Sequence, residues 1–574
     1  MQSPKKILSI IIVICVLSGM LAYLQALAAP LLWDDEITVS LNQFIRDWKF
    51  FPKIWSSPAN RGGGEPGNFY RPIQDISFMA DYTLWRLNPL GYHLTNLLIH
   101  LANIALFVLF LYCTLKWYVD EGVLYPAIFF AAAVFSVHPA IAEPVIYVSG
   151  RSAILSTTFW IATFLCVVYF SRTKGARKAG YLIGGVLSFA LGILTKESVL
   201  TCPLVLIAGV FLVRRLFPTK TVVCWIMLLF TMVGVRLALL WPVDPDHRTL
   251  SLIADASFPQ RLLTVPAIIA AYPGLLIFPQ RLHVEHHFAM TGLFDWRLWV
   301  SVIALIFIIA GIIALGRRDK IVYFYGTFFL ITLMPVLNIF PIDATIAETW
   351  AYLPSMGLFP IAGIALSRFF VASSPAQKKI VTGLFVLYIA ALGVRTNVRI
   401  YDWRDDLRLY LHDSKLSANS FVLANNVGVA YFRRGNLPEA EKAFQRSVEI
   451  NNRYAVAHNN LGVVRERQGN LQGALDEYTK AASLSDYYLA YQNLGSLYRR
   501  MGFFDQAIAS YQKALSIFPE NPQLTYERAI CYYQKHRWQE ARRLLEQVLD
   551  REPGHAAALQ LLNRIKEEAA TGGQ

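Results

Sequence analysis

Three consecutive acids, Asp34, Asp35 and Glu36, stand a few residues beyond the first long apolar run of the chain. Carboxylates avoid lipid, so acids at the exit of an apolar run must meet water or protein. They either begin a solvated loop or supply a general base. Cations that could hold an anion are scattered further on. Arg71 precedes the rigid Pro72 in Asn68-Phe69-Tyr70-Arg71-Pro72, after the glycines Gly62-Gly63-Gly64, and it serves as an anion ligand or as an interfacial anchor. His93, Asn96 and His100 share one helical face at i, i+3, i+7, where they bond to neighbouring helices or line a site. His138 is followed by Glu143, Ser149, Gly150 and Arg151, and Lys196-Glu197 interrupts an apolar stretch, where the lysine could simply snorkel. Glu348 opens Glu348-Thr349-Trp350. His283, Glu285, His286 and His287 invite a metal, but their spacing suits a helix poorly and no second cluster completes a ligand set.

The elements that must carry these residues are apolar helices. The chain of 574 residues is 55% hydrophobic and 16% charged, and the charge is unevenly placed. Spanning a bilayer takes ~20 apolar helical residues. Runs of about that length, some shorter, fall near 7–28, 93–115, 123–138, 153–171, 180–195, 198–213, 221–241, 298–316, 321–338, 351–370 and 379–396. The first is too long for a signal-peptide core and reads as an uncleaved span. The segment 262–279, interrupted by Pro266, Pro273 and Pro279, reads as re-entrant or interfacial. The net charge of +14 sits largely in short links such as Arg172/Lys174/Arg177/Lys178 and Arg317/Arg318/Lys320. That is the positive-inside pattern rather than a nucleic-acid surface. With a cytoplasmic N-terminus, segments 29–92, 139–152, 242–297 and 339–350 share one outer face. The six cysteines form no disulfide framework, and the absence of an Asn-x-Ser/Thr sequon favours a bacterial cell membrane.

From residue 397 the composition turns polar. Residues 397–420 read as a linker with a capping helix, 421–566 as about four tetratricopeptide repeats, and 567–574 as a disordered tail. The repeats align as NNVGVAYFRRGN, NNLGVVRERQGN, QNLGSLYRRMGF and ERAICYYQKHRW, with small residues at Gly428, Gly462, Gly495 and Ala529, then at Ala440, Ala474, Ala507 and Ala541. A period of about 34 residues with small residues at helix crossings is the signature of this α-solenoid. Such arrays hold partner segments or act as spacers.

In order and spacing, Asp34-Asp35, Tyr70-Arg71-Pro72, GYHLTNLLIH, VHPAIAEPVIYVSGR, LTKES and AETWAYLPS resemble the transmembrane and tetratricopeptide repeat-containing family of protein O-mannosyltransferases. The resemblance implies an all-α architecture, in which a GT-C-type domain of about eleven spans (residues 1–396) precedes the solenoid. It implies an inverting glycosyltransferase that moves mannose from a polyprenyl-phosphate-linked donor to Ser/Thr hydroxyls of exported proteins. Asp34 is then the base and Asp35 its support. Arg71, His138, Arg151 and Lys196 hold the donor phosphate, and His93, Glu143, Glu197 and Glu348 support the site. The repeats hold the acceptor polypeptide, lipid surrounds the spans, and nucleic acid is no partner. A divalent metal, Mg or Mn, is left open. Two departures stand out: Thr349 occupies the place of a family arginine, and Ile141 that of a second histidine. The other readings are a same-fold transferase for a lipid or polysaccharide acceptor, and a non-catalytic membrane scaffold.

Overall fold

The computed structural model describes residues 3–63, 69–216, 219–240 and 251–571. Gly64 and Asn68 of the glycine-rich stretch, residues 242–250 of the third outer segment and the last three residues of the tail lie outside the described residues. The chain divides into two compact units, Met1–Ser417 and Ala418–Gln574.

Among its described residues the first unit is built on thirteen long helices: α1 (Pro4–Tyr23), α2 (Pro72–Trp85), α3 (Pro89–Leu115), α4 (Glu121–Val137), α5 (Arg151–Phe170), α6 (Ala176–Ile193), α7 (Cys202–Leu212), α8 (Thr219–Leu240), α9 (Phe258–Ile277), α10 (Trp296–Arg318), α11 (Ile321–Leu333), α12 (Tyr352–Ala372) and α13 (Pro375–Asp402). Their starts follow from local chemistry. The Ser3 side chain caps α1, Asn88 caps α3, and Ser374 with Gln377 forms a capping box on α13, each ahead of a proline in the first turn. Small residues let backbones approach where apolar helices cross: a Cβ on Gly363 of α12 would stand 2.7 Å from the Ala127 carbonyl of α4. Among the described residues seven helices are long and apolar enough to cross a membrane, and four shorter apolar helices accompany them. This is a multi-pass membrane protein.

The membership of that set differs from the sequence reading in two places. Helix α6, which begins Ala-Arg-Lys, is not among the apolar set, whereas α9 is one of the seven. Helix α9 runs unbroken through Pro266 and Pro273, so the expected interruption does not occur. A proline removes one backbone bond without obliging the helix to end. Residues on both flanks of α9 are held by other parts of the unit. Before its start, Ser251 Oγ donates to the Ile342 carbonyl at 3.1 Å. After its end, Arg395 donates to the carbonyls of Pro279 and Gln280 at 3.1 Å each. Strands β1 (Glu285–His286) and β2 (Ile346–Ala347) pair antiparallel and join two loops. A further helix, α14 (Asp406–Leu416), was expected to cap the repeats. It falls within the first unit, where Arg399 of α13 donates twice to Asp413 of α14, at 3.0 and 3.2 Å.

The second unit is a row of helix pairs: α15 (Phe421–Arg433) with α16 (Leu437–Ile450), α17 (Ala455–Arg467) with α18 (Leu471–Leu484), α19 (Tyr488–Arg500) with α20 (Phe504–Ile517), α21 (Pro522–Gln534) with α22 (Trp538–Arg551), and then α23 (Ala556–Thr571). Within the first three pairs a glycine of the first helix meets an aromatic ring of the second: Gly428 and Phe444, Gly462 and Tyr478, Gly495 and Tyr511. The tight turns of these pairs place Gly435, Gly469 and Gly502 at φ of +74°, +85° and +81°, where a Cβ would be strained.

Candidate active site

The acidic pair divides its labour by environment. After α1 the chain passes Trp33, whose φ is +61°, an uncommon backbone for a bulky residue. Its N–H donates to the Tyr410 hydroxyl at 3.2 Å and its ring packs edge-on against Tyr410. That turn sends the two acids in different directions. Asp35 is buried and accepts four N–H or O–H groups: Ser149 N at 2.7 Å, Ser149 Oγ at 2.6 Å, Leu32 N at 3.3 Å and Val148 N at 3.4 Å. Burial pushes its carboxyl up, these donors pull it back, and it rests at about 6.

Asp34 is exposed to solvent yet ringed by protein. The Tyr147 hydroxyl donates to its Oδ2 at 2.7 Å. The surrounding protein pushes the carboxyl up, Tyr147 draws it down, and the nearby acids Glu285, Asp35 and Asp343 push it up further, to about 7. A carboxyl reachable by substrate and half-ionised near neutrality is suited to accepting a proton.

The support for this pair reaches back into the bundle. Asn96 donates to the Tyr147 carbonyl at 3.2 Å and accepts from Arg151 Nε at 2.7 Å. Arg151 was expected to hold the donor phosphate. It is instead fully buried, paired with Asp81 at 2.6 Å, bonded to Ser77 Oγ and the Tyr92 carbonyl, and laid over the Phe78 ring. A guanidinium so engaged cannot turn to a phosphate without leaving Asp81 buried and alone. His138 corrects the same expectation. Its Nδ1 accepts from Ala140 N at 3.2 Å, its Nε2 donates to the Leu276 carbonyl at 2.9 Å, and its ring packs on Phe359. Both nitrogens are spent on the fold. His93 lies buried against the backbone of Ala29, Pro30 and Ile146 with neither ring nitrogen at hydrogen-bond geometry, and so packs beneath the acidic turn.

The cations that remain are grouped around Arg71. It pairs with Glu197 at 3.3 Å and stacks on Phe69, and buried Asp75 lies within its electrostatic reach. Lys196 is half-buried, and its side-chain amine makes no hydrogen bond or ion pair among the described residues. Burial and the neighbouring Arg71 push its amine down to about 7, against the pull of Glu197 and Glu143. Arg236 of α8, not singled out in the sequence, donates to the carbonyls of Tyr70 and Ile193 and sits over the Tyr70 ring. This group is tied to the acids: Gln74, one turn after Arg71, donates to the carbonyl of Ser149, the residue that holds Asp35.

On the other side Glu143, one turn before Tyr147, is buried and accepts from Thr349 N at 3.2 Å. Burial and the charge of Glu348 push it well up. Glu348 lies 3.7 Å from Arg399. A guanidinium that residue 349 does not supply is therefore present in space, from α13. Its signal was available, since Arg395 and Arg399 stand one turn apart at the end of the last apolar run. Tyr147 and Ser149 lay unassigned inside a motif already singled out. Among the described residues no three His, Cys, Asp or Glu side chains group as a metal site. The rings of His283 and His286 lie against each other at a tilt of 39°, and His287 pairs with Glu285.

Below His138 an apolar groove of about 460 Å³ opens between α4, α9, α10, α12 and α13, lined among others by Phe130, Leu276, Phe307, Phe359 and Tyr388.

The fold and the site define a class: a polytopic helical membrane domain with a loop-held acidic pair, followed by a tetratricopeptide array. Sequence models described as tetratricopeptide repeat match residues 419–486 and 498–565. The solved structure of MamA is 27% identical over 26% of this chain and 89% of its own, with a TM-score of 0.24. Over most of its length the chain is similar to the transmembrane and tetratricopeptide repeat-containing protein O-mannosyltransferases, as its motifs suggested. It is 24% identical to protein O-mannosyl-transferase Tmtc3 of Drosophila melanogaster over 80% of this chain and 57% of that protein. It is 24% identical to human TMTC3 over 75% and 50%, and 30% identical to human TMTC2 over 32% and 22%. The chain spans about half the length of the TMTC3 relatives it matches.

Proposed function

We propose that the protein is an inverting glycosyltransferase that moves a sugar, mannose by the names of its relatives, from a polyprenyl phosphate to Ser/Thr hydroxyls of polypeptides. The observation that carries this reading is the exposed Asp34 carboxyl, held by Tyr147 on a loop whose Ser149 carbonyl is bonded by Gln74, one turn after the Arg71 that pairs with Glu197. Asp34 accepts the proton of the incoming hydroxyl as its oxygen bonds to the sugar's anomeric carbon. The bond from that carbon to the phosphate oxygen breaks on the opposite face, and its electron pair leaves with the polyprenyl phosphate. A phosphate leaving group needs its growing charge met more than it needs a proton, and Lys196, Arg71 and Arg236 supply that charge. Asp35 positions the turn rather than touching substrate. The apolar groove beneath Leu276 and Phe359 suits the prenyl tail.

The arginine- and lysine-rich links favour a cytoplasmic N-terminus, with the acidic pair and the repeats on the outer side of a bacterial cell membrane. The repeats hold the acceptor polypeptide and raise its local concentration. Mass spectrometry of exported proteins tests the reading. Hexose on Ser/Thr residues should be present in cells carrying the wild-type gene, and missing both without the gene and with Asp34→Asn. Hexose lost from a lipid or polysaccharide instead would transfer the reading to that acceptor class, and no change in any glycan would leave a scaffold.

A further inference from the structure

A band of aromatic and basic side chains in residues 44–56 has no part in the chemistry described above. The segment forms two short helical turns, Trp48–Phe50 and Phe51–Ser56. Its inner side is packed: Phe44, Ile45 and Ile54 are buried in one cluster with Val39, Phe78 and Val148. Its outer side is not. Trp48, Phe51 and Trp55 are 48%, 38% and 37% exposed. They run on as a row of rings, with centroids 6.3 Å apart from Trp48 to Phe51 and 6.1 Å from Phe51 to Trp55. Contiguous exposed apolar surface of this kind marks a place of contact.

The level of the row in the bilayer follows from its neighbour. Trp48 Nε1 donates to Thr83 Oγ1 at 2.9 Å, two residues before α2 ends, and α3 begins at Pro89. Helix α3 has 27 residues, so at ~1.5 Å per residue it is about 40 Å long, against a hydrocarbon core of ~30 Å. Asn88, His93 and Asn96 put the surplus at its start. The corner from Leu84 to Leu90 therefore stands among headgroups, and Leu84, Leu87 and Leu90 are exposed there. Trp85 lies against the first turn of α3, where its ring fills the place of a Cβ on Gly91. An indole at this level is a common interfacial anchor.

The charge of the face is positive. Residues 44–56 and 82–90 hold Arg46, Lys49, Lys53 and Arg86 against one acid, Asp47, which pairs with Lys49 at 3.2 Å. Lys49 and Lys53 lie over the Phe50 ring at 5.1 and 5.8 Å. Rings interleaved with basic groups suit the boundary between acyl chains and anionic headgroups. We propose that this face rests on anionic phospholipid at the bilayer surface, and that the docked segment braces the loop holding the acidic pair. The path of the brace is short. Phe44 and Ile54 pack in the cluster that includes Val148, whose N–H donates to Asp35. Asn42 donates to the Thr38 carbonyl, and Thr38 Oγ1 meets Ser149 Oγ at 2.6 Å. Docking of this face is independent of what the site transfers.

Hydrogen exchange of the full chain is compared in nanodiscs of phosphatidylcholine alone and of phosphatidylcholine with phosphatidylglycerol. Phosphatidylglycerol should slow backbone exchange across 44–56 by at least about fivefold and should slow it across 147–149 as well. Salt at about 0.5 M should remove the difference. Arg46→Gln/Lys49→Gln/Lys53→Gln should lose the response to lipid charge, and Trp48→Ser/Trp55→Ser should exchange faster in both lipids. Unchanged exchange across α3 and α12 shows that either variant has folded, and the comparison of lipids on the wild type needs neither. Equal exchange of the wild type in the two lipids would overturn the proposal. So would slowing brought by a Ser/Thr-containing polypeptide and not by phosphatidylglycerol, which would give the face to a protein partner. Slowing at 44–56 that does not reach 147–149 would remove the brace.

Discussion

Asp34 and Asp35 are adjacent in sequence and opposite in fate, because Ser149, Leu32 and Val148 close over one carboxyl and Tyr147 reaches the other. If Asp34 is the base, the rate should fall as pH drops through about 7, where its carboxyl takes up a proton. Tyr147→Phe removes the hydroxyl that lowers this carboxyl, so the acidic limb should move to higher pH and kcat should fall. A pH–rate profile checks both, and a limb left near pH 4 in both proteins would contradict the assignment. Lys196 is held in a setting that disfavours its charge, so Lys196→Met should raise the melting temperature while lowering kcat/KM. An unchanged rate would remove Lys196 from the phosphate clamp. At this scale the sequence supplied charges and their order along the chain. It did not supply their partners. Arg151 looked available because Asp81 lies seventy residues earlier on a different helix, and His138 because its partner is a backbone carbonyl, which every residue owns.

Among elements, α13 and α14 are joined by Arg399 and Asp413, both buried. Removing one member of such a pair leaves a buried charge unpaired, at a cost of about 3–5 kcal/mol, so Arg399→Ala should lower the melting temperature sharply. Arg399 holds the Asp413 carboxyl at about 2 against the opposition of burial, below its unfolded value of about 3.9. The stability this contributes is therefore full above pH ~4 and is lost as pH falls toward ~2. Melting curves across that window should show a steeper acid loss in the wild type than in Asp413→Asn. Gly150 sits where Tyr147–Ser149 turns into α5, and a Cβ there would stand 2.8 Å from Pro144 Cα. Gly150→Ala should thus shift the loop that holds both acids and reduce transfer with little change in peptide binding. Helix positions were readable from apolar length, but the continuity of α9 was not. A proline predicts a lost bond, and whether the helix continues depends on what packs around it.

The whole molecule joins a domain whose solvent is lipid to an array whose solvent is water, and that change was plain from composition alone. The repeats were the most legible part, since Gly428, Gly462 and Gly495 recur at the helix crossings that need them. Gly462→Val would press on Tyr478, whose ring stands 2.7 Å from the place a Cβ would take, at a cost of about 1–3 kcal/mol. Hydrogen exchange should rise across α17 and α18 and stay constant in the first unit. The acidic site was legible only in outline, because it is assembled from loops far apart in sequence whose convergence depends on helix packing. Its chemistry is open to one direct measurement. Purified full-length protein is given radiolabelled mannosyl phosphoryl polyprenol and a Ser/Thr-containing polypeptide, and label on the polypeptide is counted. The wild type should transfer label and Asp34→Asn should fall by at least about a hundredfold; transfer by Asp34→Asn at the wild-type rate would contradict the account.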